Sequence, residues 1–156
     1  MHRALLHRPV GQWPEELASD AVTLDFEGRH RRRIRLCADL GEEILLELPR
    51  AVAMGDGDGL QLEDGRWLRV QAAAEDVVEV SHKDALQLMR IAWHLGNRHT
   101  PTEIRHHRLR IRPDHVIEAM LSGLGAELAR FHAPFQPEVG AYSNHEHGAL
   151  AGHHHG

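Results

Sequence analysis

The residues best suited to chemistry are His94 and His99, five apart in the run Ala92-Trp93-His94-Leu95-Gly96-Asn97-Arg98-His99-Thr100-Pro101. A glycine, an amide and an arginine lie between them, a composition that stops a helix and presents an imidazole beyond it. A second group closes the chain: His145 and His147 flank Glu146, and His153, His154 and His155 precede Gly156. The chain holds 15 histidines, and those from His94 onward outnumber the rest, so the enrichment is regional. Neutral imidazole is a good ligand for Ni²⁺, Cu²⁺ and Zn²⁺, with affinities that tend to follow the Irving–Williams order. Cys37 is the single cysteine, which leaves no intramolecular disulfide and no zinc site of the Cys-x-x-Cys kind. A metal site here must use imidazole, carboxylate or water. Because imidazole binds metal only when neutral, such a site is expected to empty as pH falls through about 6.5.

Each neighbouring residue has its own reading. Asn97 tolerates the left-handed backbone that a helix exit wants. Arg98 has no acceptor atom and cannot bind a cation, so it shapes the loop or holds a carboxylate. Gly96 completes this supporting turn. On a continuous helix His94 and His99 would lie about 140° apart, so they converge only if the helix ends between them. The tail histidines can wrap a cation, but ordering a flexible segment costs entropy and weakens that site. His107 and His115 are secondary ligand candidates, with a solvated surface position as the alternative.

Other features read as structure. Arg29, Arg31, Arg32, Arg33 and Arg35 surround Ile34 as a solvated strand face that could dock an acidic partner. Asp56 and Asp58 alternate with glycines in a turn, with no EF-hand continuation. No Gly-x-Ser-x-Gly element, P-loop or Gly-x-Gly-x-x-Gly run occurs, and no His-Glu-x-x-His cluster supports a metal hydrolase. We therefore expect a binding protein, not an enzyme.

The positioning elements follow from composition and periodicity. The 156 residues carry 42% hydrophobic and 26% charged residues and a formal charge of −5, ordinary for a globular chain and unfavourable for nucleic acid or membrane surfaces. No apolar run reaches the roughly 18 residues that would span a bilayer, and the N-terminus lacks a signal peptide, so the expected compartment is the cytoplasm. Residues 1–73 read as a small all-β domain, a barrel or sandwich, with strands at 22–26, 33–37 and 44–48 and a hairpin about Asp64-Gly65. Residues 74–133 read as β-α-β-β-α-β, the ferredoxin-like arrangement. There Ser81-His82-Lys83-Asp84 opens a helix as a capping box, a wide buried face spans residues 85–95, and Gly96-Asn97 stops it. Asp114 caps a second helix that Gly125 ends. Residues 134–156 read as a flexible, disordered His-rich tail. The fold class is α+β.

The element order and the motif Trp93-His94-Leu95-Gly96-Asn97-Arg98-His99-x-Pro101 resemble the UreE family of urease accessory proteins. Further similarity lies in Arg31–Leu36, Glu43–Arg50, Asp114–Leu121 and Pro134–Tyr142. The resemblance implies a nickel metallochaperone that delivers Ni²⁺ to apo-urease, with Zn²⁺ or Cu²⁺ competing for the same site. It implies a homodimer in which His99 of each subunit binds nickel at the two-fold axis, or dimers paired into a metal-linked tetramer. Its implied partners are the GTPase UreG and the urease apoprotein complex, engaged in part through the N-terminal β domain. Some relatives carry a histidine two residues before the one matching His115; this chain has Pro113 there. The alternative function is metal storage or buffering by the His-rich tail.

Overall fold

The structure is a computed structural model that describes residues 1–139, divided into two compact units, Met1–Ala73 and Ala74–Glu138. The tail histidines His145, His147, His153, His154 and His155 lie outside the described residues.

In the first unit, strands β1 (His2–Arg8), β2 (Ala18–Leu24), β3 (Arg33–Cys37), β4 (Glu43–Glu47), β5 (Gly59–Leu62) and β6 (Trp67–Ala72) build one sheet in the order β2-β6-β5-β1-β4-β3. Alternation decides which side chains face inward: Ile44 and Leu46 of β4 and Leu68 and Val70 of β6 are buried between more exposed neighbours. The sheet curls, because the Asp39 N–H just beyond edge strand β3 donates to the Ala21 carbonyl on the opposite edge strand at 2.8 Å. The expected hairpin forms between β5 and β6, with Gly65 at φ +96° and its N–H donating to Leu62 O at 2.9 Å.

Two features hold the loops of this unit. Asp58 is only 5% exposed; its carboxylate accepts the N–H groups of Val10 (2.9 Å) and Gly55 (2.8 Å) and lies 2.7 Å from His7 Nε2. Trp13 stacks on Trp67 at 5.4 Å and donates its indole N–H to Gly57 O at 3.0 Å. Gly59 is required beneath that indole, since any Cβ there would overlap the ring. The arginine run is not one solvated face. Arg33 and Arg35 point outward from β3, but Arg29 is 1% exposed in a 3-10 turn, donating to Met54 O (3.1 Å) and Leu24 O (2.9 Å). A buried guanidinium is tolerable only with such acceptors. Cys37 is exposed on the edge strand.

In the second unit, β7 (Ala74–Ser81), α1 (Ala85–Asn97), β8 (Glu103–Arg105), β9 (Arg108–Ile111), α2 (His115–Gly123) and β10 (Glu127–Pro134) follow one another in the β-α-β-β-α-β order. The sheet is antiparallel, β10-β7-β9-β8, the ferredoxin-like order. Val78, Val80, Leu109 and Ile111 of the sheet pack with Ile91 and Leu95 of α1 and Ile117 and Leu121 of α2.

Three local expectations are corrected. Ser81 is not the cap of α1; it ends β7, and Asp84 caps the helix by accepting the Leu86 N–H at 3.1 Å. The carboxylate nearer the helix wins because its oxygen reaches an orphan N–H without distorting the strand. The apolar face of α1 is only partly buried: Leu86 is 50% exposed, Met89 63% and Trp93 64%. The ordered unit also runs past residue 134. Pro134 pairs with Ala74, Phe135 is fully buried, and the N–H groups of Gln136 and Glu138 donate to Glu103 Oε1 (2.9 Å) and Thr102 O (2.8 Å). Among the described residues no helix is long and apolar enough to cross a membrane.

Candidate metal centre

The end of α1 places His99. The helix ends at Asn97, with Gly96 and Asn97 in its last turn and Arg98 as the C-cap. Beyond it, the Thr100 N–H donates to Leu95 O and the His99 N–H to Gly96 O, each at 3.0 Å. These two bonds are the six-to-one and five-to-two pair of a Schellman motif, which puts the residue after the cap in the left-handed region. That residue is His99, at φ +55°, and not the expected Asn97. Pro101 then prevents any return to helix.

The second helix supplies an internal comparison. It ends in the same motif, with Ala126 N–H to Leu121 O and Gly125 N–H to Ser122 O, each at 3.0 Å. There the left-handed residue is Gly125, φ +85°. Two helices of one domain thus close identically, one with the residue that costs least and one with a histidine. A β-branch-free but full side chain in this region costs about 1–2 kcal/mol. Strain of this kind, stored at one side chain, points to a use for that side chain.

The His99 ring is exposed. His94 sits one turn earlier, half-buried, with Trp93 edge-on at 5.1 Å. His115 opens α2 and is exposed, beside Asp114, whose carboxylate caps that helix through Val116 N–H (2.9 Å) and Ile117 N–H (3.1 Å). His107 is exposed at the tip of the β8–β9 hairpin. Among the described residues no three His, Cys, Asp or Glu side chains converge as a metal site. His99 therefore has no companion side chains among the described residues that would make a three-ligand site with it.

Two further features mark α1 itself. Leu86, Met89 and Trp93, spaced by three and four residues, form an uncovered apolar stripe on one face. Gly96 has nothing within 4 Å of where a Cβ would stand and no positive φ, so neither local sterics nor the backbone demands glycine there. Sequence reasoning named His99, Gly96, Asn97 and Arg98 but missed the stripe, because an apolar position on a helix reads the same whether its cover is the core or another molecule.

The two units correspond to two family models. One described as the UreE urease accessory protein, N-terminal domain, matches residues 3–73, and one described as its C-terminal domain matches residues 75–156. These matches place the chain among accessory chaperones rather than enzymes. It is 53% identical over 145 residues to the urease accessory protein UreE of Bradyrhizobium sp. (strain ORS 278), covering 90% of this chain and 69% of that protein. The corresponding protein of Chelativorans sp. (strain BNC1) is 51% identical over 130 residues, 83% of this chain and 82% of that one. That of Rhodobacter capsulatus is 46% identical over 156 residues, covering 100% and 94%. The chain belongs to the UreE family of urease accessory proteins.

Proposed function

We propose that this chain is a nickel metallochaperone, which captures Ni²⁺ and passes it to apo-urease during assembly of the urease active site. The observation that carries this reading is His99 in the left-handed position of a Schellman turn, exposed, where glycine would cost less. One imidazole per chain holds a metal poorly. A two-fold dimer turns it into two ligands with open positions for water or an acceptor, and those open positions make release as feasible as capture. The stripe of Leu86, Met89 and Trp93 favours such a dimer, since a second copy would cover it, and the space above Gly96 admits a close backbone approach beside His99. His115 and the tail histidines His145, His147, His153, His154 and His155 act as auxiliary ligands that feed or drain the central ion. UreG, which brings the nucleotide hydrolysis this chain lacks a motif for, is the onward partner together with the urease apoprotein.

Calorimetry with Ni²⁺, alongside solution mass, tests this on a full chain whose five tail histidines are replaced by alanine. The expected result is one tight ion per two chains. No tight ion in that variant would make the protein a metal reservoir that works through its tail. Trp93→Glu is expected to convert the dimer to monomers and to abolish the tight site together with it, because a charge cannot be buried unpaired at such a contact. A monomeric variant that kept tight nickel would refute the shared site.

A further inference from the structure

Among the described residues, two that are not glycine have positive φ: His99, at +55°, and His107, at +61°. Both are exposed histidines. His107 lies in the two-residue turn Arg105-His106-His107-Arg108 that joins β8 to β9, where Arg105 pairs with Arg108. Glycine or asparagine would suit that turn position better. His106 is its immediate neighbour, also exposed, and the two rings meet edge to face with centroids 4.1 Å apart and planes inclined by 62°.

We propose that His106 and His107 form a second divalent-cation site, separate from the helix end, of the open two-imidazole type that favours Cu²⁺ over Ni²⁺ and Zn²⁺. A metal–nitrogen bond of about 2.0–2.1 Å from each ring puts two imidazole centroids roughly 4.5–5.2 Å apart in adjacent coordination positions. The observed separation needs a small opening of the pair and a rotation about the side-chain bonds that turns one nitrogen of each ring toward a common point. Carboxylates offset most of the surrounding positive charge: Glu103 clasps Arg105 at 2.7 Å, and Glu79 is shared by Arg108 at 2.7 Å and Arg110 at 3.5 Å. His82 faces the same side of the hairpin, in an apolar groove with His107, but its Nδ1 accepts the Asp84 N–H at 2.9 Å. That bond leaves the proton on Nε2 and keeps His82 out of the ligand set. Two protein ligands leave the remaining positions to water or to an incoming donor, as a relay site requires.

The site goes beyond the reading of His99 and does not depend on it. The test is a titration of the full-length, ¹⁵N-labelled chain with Cu²⁺, whose unpaired electron erases nearby amide signals. In the native chain the signals of residues 105–108 are expected to vanish. In His107→Gly, which the turn accommodates without strain, and in His106→Gln they are expected to survive. Signals of 105–108 that persist in the native chain at saturating Cu²⁺, or that vanish equally in His107→Gly, would overturn the proposal. If residues 105–108 respond while 97–101 do not, this site stands and the metal role of His99 falls.

Discussion

His99→Gly is expected to make the protein more stable and, at the same time, to remove its tight nickel site. Glycine adopts the left-handed turn after α1 freely, so the substitution relieves a cost that Gly125 already avoids at the end of α2. The expected gain is about 1 kcal/mol, which is part of the left-handed penalty offset by the greater freedom of glycine in the unfolded chain. The metal changes in the opposite direction. In a symmetric dimer one substitution deletes both central ligands, and since loss of an outer-shell partner alone costs about 10–100-fold in metal affinity, the fall should exceed ~100-fold. Thermal melting and nickel calorimetry on the variant read the two effects separately. Tight nickel retained would end the assignment of His99 as a ligand, and a lowered melting temperature would end the argument from strain.

The second large effect lies in the other unit. Asp58→Ala is expected to cost about 4 kcal/mol, because it strands the N–H groups of Val10 and Gly55 and removes the partner of a mostly buried imidazole. For a domain of this size that corresponds to a fall in melting temperature of roughly 15–30 °C. Asp58→Asn keeps an acceptor oxygen and should recover part of the loss. A change under ~1 kcal/mol for the alanine variant would mean that the loop re-pairs its donors with water, and that the carboxylate is not what holds it.

Much of the architecture was legible because it rests on local signals. Asp64-Gly65 between alternating runs marks a hairpin, Asp114 before Val116 and Ile117 marks a helix start, and the change of period near residue 74 separates the two units. The missing parts depend on competition or on distance. Ser81 and Asp84 are both plausible caps, and only the extent of β7 decides between them. Arg29 looks like its neighbours until the carbonyls of Leu24 and Met54 converge on it. The second domain reads as ending at residue 133 because Pro134 and the alanine before it carry no periodicity, while the pairing of Pro134 with Ala74 is a long-range event. At the end of α1 the motif singles out His99 as the residue of interest. The left-handed backbone falls on His99 rather than on Asn97, the commoner tenant of such a position, because Asn97 is still helical and Arg98 is the cap.

The pairing of β7 with β10 orders events during synthesis. Ala74 finds its partner only when Pro134 has been made, whereas the first sheet is complete once β6 ends at Ala72. At about 5–20 residues per second, the ribosome gives the first unit a lead of roughly 3–12 s over the second. For the later part of that interval, once Asn97 has been made, α1 exists without its finished sheet, and a 13-residue helix alone is marginal in water. The turn that holds His99 gains its geometry from that helix through the bonds to Leu95 O and Gly96 O, so a nascent chain lacks that turn. On the proposed nickel reading, capture of the ion waits for the pairing of β7 with β10 that completes the second unit.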